Sequence, residues 1–309
     1  MLPVGALRHA RAWVHVVRYW TAGGQTNITN LVRLLVRQYC GGTGPKPQPP
    51  VELPPRFLCD PEGSRVYRSL TAWTADFPCA DGLPVIAVLH YSGLHREASL
   101  AGVRALSRCL AGRAHVLPIA ANGVENLEAL SAYLRGRAAP RVSAVVSLVW
   151  FRLDGGPMGG STDKTVRLLA ALDVPYCCAV TLYGREIAAW EESAEGVSPV
   201  EAFAAVVLPE LDGALLPVPI FGVVRKEQDG FQTTAAAAIP DRAAALADRV
   251  LAWTRLRRIP RRDKKIALVI YDYPPGPAHA GNASYLDTAR SLQAILRRLG
   301  ESGYTTDAP

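Results

Sequence analysis

From Leu83 onward, short apolar runs alternate with amphipathic stretches, and this alternation restricts the fold more than any other feature of the chain. Residues 85–89 form an uninterrupted apolar run, Val-Ile-Ala-Val-Leu. A strand that is apolar on both faces must be covered on both, which is the pattern of a parallel strand inside a sheet. Residues 98–110 follow with helical spacing, then a strand at 115–120, a helix at 124–134, a strong strand at 142–150, a helix at 165–172 and a strand at 176–182. This order predicts an α/β fold, an open and mostly parallel sheet with flanking helices. Ser198 and Pro199 suit the N-cap and first position of a helix over 199–207. Residues 215–224 read as a strand, but Pro217 and Pro219 mark it as an edge or irregular one. A clean helix over 240–257 leads to a strand at 265–271 and a helix at 285–299. One strand and one helix cannot bury their own apolar faces, so this last piece reads as an incomplete second α/β unit.

The segment before this pattern is different in kind. Trp13, Val16, Val17 and Trp20 recur at helical spacing, Gly23-Gly24 interrupts, and Asn27 is a candidate N-cap for a helix over 28–39. Pro45, Pro47, Pro49 and Pro50 crowd the stretch 41–55, which reads as an extended surface loop. The expected organisation is therefore a helical and Pro/Gly-rich segment over 1–82, an α/β domain over 83–262, and a truncated second unit over 263–309.

Nearly half of the residues (49%) are hydrophobic, enough for a substantial core. No apolar run is long enough for a membrane span, and the start lacks a secretory signal pattern, so a cytoplasmic location is expected. The six cysteines form no CxxC pair and no zinc spacing, and read as reduced thiols. The net charge of +7 owes much to Arg255, Arg257, Arg258, Arg261, Arg262, Lys264 and Lys265. With no aromatic platform or helix-turn-helix beside it, that cluster reads as a solvated helix end and not as a nucleic-acid surface.

The sites that could carry chemistry are sparse. Gly155-Gly156-Pro157-Met158-Gly159-Gly160 lies between a strand and a helix, where a phosphate-binding loop would sit. The P-loop pattern needs a glycine before Lys164, and Asp163 stands there, so ATP binding is not expected. His90 and His95 follow the first parallel strand and could face a crevice, as could His279 after the last one; a neutral imidazole there could ligate a metal or move a proton. Glu210 and Asp212 lie in Leu208-Pro209-Glu210-Leu211-Asp212-Gly213. They could accept protons or hold a hard cation, or they could simply end a helix in a turn.

Several ordered blocks resemble the large subunit of class I metal chelatases, the family of cobaltochelatase and magnesium chelatase H-subunits. Tyr19-Trp20, Gly23-Gly24 and residues 27–35 are similar to the family's "YW…GG…N…NLL" segment. The 85–89 strand with Val116-Leu117-Pro118-Ile119 resembles its first α/β unit, and Leu153-Asp154-Gly155-Gly156-Pro157 its "VGGP" loop. Leu172-Asp173-Val174-Pro175-Tyr176, Trp190 with Glu192-Ser193 and Gly196, and the Leu208–Gly213 run continue the likeness. So do Asp241-Arg242, Trp253, Lys264-Lys265-Ile266-Ala267, Tyr273-Pro274-Pro275, Gly281-Asn282 and Tyr285-Leu286-Asp287. Where the family commonly has an Ala-Gly-Asn loop, this chain has Arg96-Glu97-Ala98-Ser99.

The resemblance implies an internal part of a much longer tetrapyrrole-binding ligase subunit, inactive alone, with AAA+ chelatase subunits hydrolysing ATP as its partners. Cobalt insertion into a corrin precursor, hydrogenobyrinic acid a,c-diamide, in cobamide synthesis is the first reading. Magnesium insertion into protoporphyrin IX is the alternative, and a non-catalytic tetrapyrrole- or partner-binding fragment is a further one. In this frame Glu210 and Asp212 are the candidate catalytic carboxylates. Gly155, Gly156, His90, Trp190, Gly281 and Asn282 are the candidate substrate contacts, and cobalt or magnesium enters as substrate metal.

Overall fold

The computed structural model describes residues 4–79, 82–136, 139, 141–228, 230–271, 281 and 285–306. The chain divides into two compact units, Met1–Leu251 and Ala252–Pro309. In the first, helices α1 (Val4–Ala22) and α2 (Gly24–Tyr39) precede strands β1 (Arg56–Cys59) and β2 (Val66–Tyr67) and helix α3 (Leu70–Asp76). The alternating part then runs β3 (Val85–Tyr91), α4 (Arg96–Leu110), β4 (His115–Ala121), α5 (Asn126–Leu134), β5 (Val142–Ser147), α6 (Thr162–Leu172) and β6 (Tyr176–Glu186). Short helices α7 (Ile187–Glu191), α8 (Pro199–Ala202) and α9 (Leu208–Glu210), the last two joined by a π-helical turn over Phe203–Val207, lead to β7 (Leu215–Gln228), β8 (Phe231–Ala238) and α10 (Pro240–Arg258).

The strands form one sheet in the order β2-β1-β4-β3-β5-β6-β7-β8. Strands β3 to β7 pair in parallel, as the expected α/β fold requires, while β1, β2 and β8 add antiparallel edges. The parallel part has the doubly wound order in which the chain first moves to one side of its starting strand and then crosses to the other. Each face is covered: Leu100, Val103, Leu106 and Leu110 of α4 pack with Ala243, Leu246 and Val250 of α10 on one. Leu127, Leu130 and Leu134 of α5 pack with Leu168 of α6 and Trp73 on the other. The apolar run of β3 is accordingly buried on both sides, Ile86 and Val88 in the first cluster and Ala87 and Leu89 in the second.

Several local expectations are corrected. Asn27 is not an N-cap; it lies inside α2, buried, and its side chain binds both the N–H and the C=O of Val51 at 2.9 Å. Gly23 is the residue before the helix, at φ 61°. Asn30 likewise takes the Gln48 N–H at 2.9 Å, and the Tyr19 hydroxyl donates to the Gln48 carbonyl. The proline-rich stretch is therefore extended, as expected, but strapped to the helical hairpin by buried amides. The strand over 215–224 is an edge only in its first half. Residues 215–220 have β6 alone beside them, with register shifts near Pro217 and Pro219, and pairing with β8 begins at Phe221. A proline nitrogen is thus never asked to donate to a second neighbour.

In the second unit the expected strand over 265–271 is not one. Those residues belong to no ladder among the described residues, and Val269 and Tyr271 are exposed. Apolar character alone does not make a strand, which needs a neighbouring strand for its ladder. Helix α11 (Thr288–Glu301) starts later than expected because the Asp287 carboxylate caps it, accepting the Arg290 N–H at 3.0 Å. His279 and the Tyr273-Pro274-Pro275 run lie outside the described residues.

Candidate functional site

In an open parallel sheet, the place where two neighbouring strands send their chains to opposite sides leaves a crevice at their carboxyl ends. Here that place is between β3 and β5. The chain leaving β5 stays close to β3: Leu148 N–H donates to the Leu89 carbonyl at 2.8 Å and Trp150 N–H to the Tyr91 hydroxyl at 2.9 Å. Phe151 then turns with φ 69°, an unfavourable conformation for an aromatic residue, and is held there by its N–H on the Ala204 carbonyl at 2.7 Å.

Tyr91 at the end of β3, Trp150 just past β5 and Tyr183 near the end of β6 thereby bring aromatic rings together. Trp150 lies 5.2 Å from Tyr183 at the end of β6, His95 lies 6.3 Å from Tyr183, and His95 lies 5.4 Å from Tyr91. Tyr91, Trp150 and Tyr183 are half-buried and His95 is exposed. The indole Nε1 of Trp150 and the hydroxyl of Tyr183 are buried without a hydrogen-bond partner. Burial pushes the Tyr183 phenol up to about 12. Beneath the rim, Glu201 accepts the N–H groups of Tyr183, Gly184 and Ser198 at 2.7, 2.9 and 2.8 Å. Burial alone would raise its carboxyl; these bonds outweigh it and hold the group below the usual carboxylate range. The capping box of Ser198 and Glu201 confirms the expected start of the 199–207 helix.

The glycine-rich loop is built for close backbone packing. Gly155 (φ 75°) and Gly156 (φ 55°) lack room for a side chain, since a Cβ would sit 2.4 Å from the Gly159 carbonyl oxygen and 2.3 Å from that of Gly123. Arg152 and Asp212 lock the loop's base. Asp212 Oδ1 accepts Arg152 Nε at 2.8 Å and Nη2 at 2.6 Å, Oδ2 accepts the Leu153 N–H at 2.8 Å, and Arg152 Nη2 also reaches Thr162 Oγ1. Asp212 is buried while Glu210 is exposed, so the two carboxylates stand in different environments.

His90 departs from expectation. It is fully buried within β3, not open to the crevice, with Nε2 3.4 Å from the Cys59 sulfur and Nδ1 unpartnered. Burial first, and the Arg96 charge second, lower it to about 3, so it is a neutral core residue. Trp190, in α7, carries the Arg242 guanidinium over its ring at 5.6 Å, and its Nε1 is buried and unpartnered. Gly281, in the second unit, turns at φ 73° with its N–H on the Tyr271 carbonyl at 2.8 Å. Asn282 lies outside the described residues. A second concavity of about 520 Å³ opens beside the β3–α4 loop, lined by Gly23, Gly24, Asn27, Ser64, Gly93 and Arg96. A Cβ on Gly23 would come 2.9 Å from Leu94 Cα, so glycine lets the α1–α2 turn seat on that loop.

A family model described as CobN/Magnesium Chelatase matches residues 17–309. The chain belongs to that chelatase family. The magnesium-chelatase H-subunit of Rhodobacter capsulatus is 30% identical over 97% of this chain and 26% of its own length. That of Chlorobaculum parvum is 31% identical over 94% and 23%. The aerobic cobaltochelatase CobN protein of Pseudomonas aeruginosa is 28% identical over 94% and 23%. Among solved structures, the catalytic subunit of cobaltochelatase from Mycobacterium tuberculosis superposes with TM-score 0.62 at 25% identity, covering 96% of this chain and 23% of that one. The chain thus spans about a quarter of the length of the relatives it matches.

In this chelatase-family chain the tertiary fold gathers residues that reading along the sequence passed over: Tyr91, Trp150, Tyr183, Arg152 and Glu201. A signal for the first three existed. Three of the apolar strand runs end in an aromatic residue, Tyr91, Trp150 and Tyr183, at the side of the sheet where ligands of such folds bind. Arg152 and Glu201 had no comparable mark. Among the described residues no group of three or more His, Cys, Asp or Glu side chains is placed to hold a metal ion, and no helix is long and apolar enough to cross a membrane.

Proposed function

We propose that the chain supplies part of the tetrapyrrole-binding large subunit of a cytoplasmic metal chelatase, with a flat macrocycle lying against the aromatic rim between β3, β5 and β6. The carrying observation is that a chelatase-family chain places Tyr91, His95, Trp150 and Tyr183 together at the switch point of its sheet. Aromatic faces stack on a planar conjugated ring and exclude water from it. Cobalt or magnesium is the substrate metal, and AAA+ partner subunits hydrolyse ATP. Identities of 30–31% to two magnesium relatives and 28% to a cobalt relative support the two metals alike, so both are arms of the assay.

Metal insertion must displace pyrrole N–H protons. Asp212 is committed to Arg152 and Leu153, so its part is to hold the loop that carries Gly155 and Gly156. Glu210, exposed at the end of α9, is the carboxylate left free to accept a proton. In the full assembly, Glu210→Gln is expected to abolish insertion of either metal while tetrapyrrole binding persists; normal turnover would remove Glu210 from the mechanism. For the chain itself, absorbance titration with protoporphyrin IX and with hydrogenobyrinic acid a,c-diamide tests the binding role, with ATP as control. Binding of ATP without binding of either macrocycle would overturn the assignment.

A further inference from the structure

We propose that Trp150 Nε1–H and Tyr183 Oη–H form a donor pair that binds a carboxylate arm of the macrocycle. The inference rests on the tetrapyrrole reading and adds to it the substrate feature that the rim recognises.

Native interiors hold few polar atoms that are both buried and unpaired, because such a group gives up its water and gains nothing in return. Here two lie in one cluster, on rings 5.2 Å apart, at the carboxyl ends of neighbouring strands. Their surroundings leave them open. The Tyr91 hydroxyl accepts the Trp150 backbone N–H, and Glu201 is occupied by three backbone N–H groups. Both unpaired atoms can donate at neutral pH: an indole N–H only donates, and burial keeps the Tyr183 phenol protonated.

The chemistry selects the ligand. Two donors without an acceptor suit a group that only accepts. An ionised carboxylate is such a group, and its two oxygens can serve both rings. Bonds to an ionised acceptor are also stronger than neutral ones. An amide or hydroxyl arm would bring a further donor into a site that offers it no partner. The Glu201 charge nearby is met by three backbone N–H groups. The rings are half-buried at the rim while the two donor atoms are buried, so binding the carboxylate entails a side-chain rotation that brings the donors to it.

The test compares protoporphyrin IX with its dimethyl ester, titrated by absorbance and fluorescence quenching against the full chain and its Trp150→Phe, Tyr183→Phe and double variants. Phenylalanine keeps a stacking ring and deletes the donor. Wild type should bind the acid about tenfold or more tightly than the ester, each single variant should lose most of that preference, and the double variant should show none. The variants' melting temperatures without ligand should be unchanged or raised, because an unpaired buried donor has been removed. Equal affinity of wild type for acid and ester would overturn the donor pair while leaving the tetrapyrrole reading intact. So would an undiminished preference in the double variant, or variants that melt well below wild type. Failure to bind either porphyrin would overturn both.

Discussion

Replacing Asp212 with alanine should cost far more than its place in a turn suggests, because burial and not distance sets the strength of its ion pair. The Arg152–Asp212 contact is 2.6 Å, with side chains 12% and 0% exposed. The Arg113–Asp248 contact is also 2.6 Å, but its side chains are 48% and 63% exposed. In water the Coulomb gain of the second pair is screened, and such pairs contribute about 0–1 kcal/mol. Removing one partner of a buried pair strands the other charge, at about 3–5 kcal/mol. Asp212→Ala also frees the buried Leu153 N–H. At roughly 2–4 °C per kcal/mol for a unit of this size, the melting temperature should fall by about 10 °C. Asp248→Ala should lower it by at most about 3 °C. The assay is urea and thermal denaturation of both variants, with an Arg152→Met/Asp212→Leu double variant closing a mutant cycle. The double variant should recover most of the loss, since neither charge is then left unpaired. A loss below about 1 kcal/mol for Asp212→Ala, or additive losses in the double variant, would refute the claim that this pair locks the loop.

Two further expectations concern the interior and the loop. His90 is neutral in the fold, with its pKa lowered to about 3 from an ordinary value of 6.5. Above pH 6.5 it is neutral folded and unfolded and has no effect; as pH falls toward 3 only the unfolded chain gains the proton, so stability drops by about 1.4 kcal/mol per pH unit. Chemical denaturation across that range should lose this slope in His90→Phe, and an unchanged slope would assign it to other groups. Gly156→Ala places a Cβ 2.3 Å from the Gly123 carbonyl at φ 55° and should destabilise by about 2 kcal/mol or more, whereas Gly159→Ala meets no neighbour and should cost only its backbone strain. Matching urea midpoints for the two variants would show that the loop does not need Gly156 for close packing.

The α/β class was legible because it depends on short-range periodicity. Residues 85–89, 116–120 and 176–180 are apolar without interruption, the pattern of a strand covered on both faces. The N-cap at Ser198 was equally local. What reading along the chain missed was decided by neighbours far away in sequence. Strand β1 was hidden in the proline-rich segment because its pairing with β4 joins residues more than sixty positions apart, Arg56 with Ala121. Strand β8, Phe231–Ala238, is threonine and alanine over most of its length, with no alternation to announce it, and β7 gives it a ladder. The opposite error occurred at 265–271, where apolar composition suggested a strand and no partner strand stands among the described residues.

The site divides in the same way. Sequence by itself determined that Tyr91, Trp150 and Tyr183 would lie at or near the carboxyl ends of parallel strands, with Gly155 and Gly156 in a loop after one of them, because the order of strands and helices fixes which residues close and follow each strand. Only the tertiary structure decided which of those loops became neighbours. Strand order placed β5 beside β3 and so brought Trp150 onto Tyr91 and Tyr183, while His90 was taken into the core. It also set Asp212 against Arg152, a contact across sixty residues that turned a candidate catalytic carboxylate into a buried counter-ion. Backbone periodicity is a local property and survives in a linear reading; the charge environment and hydrogen bonding of a side chain belong to whatever the fold packs against it.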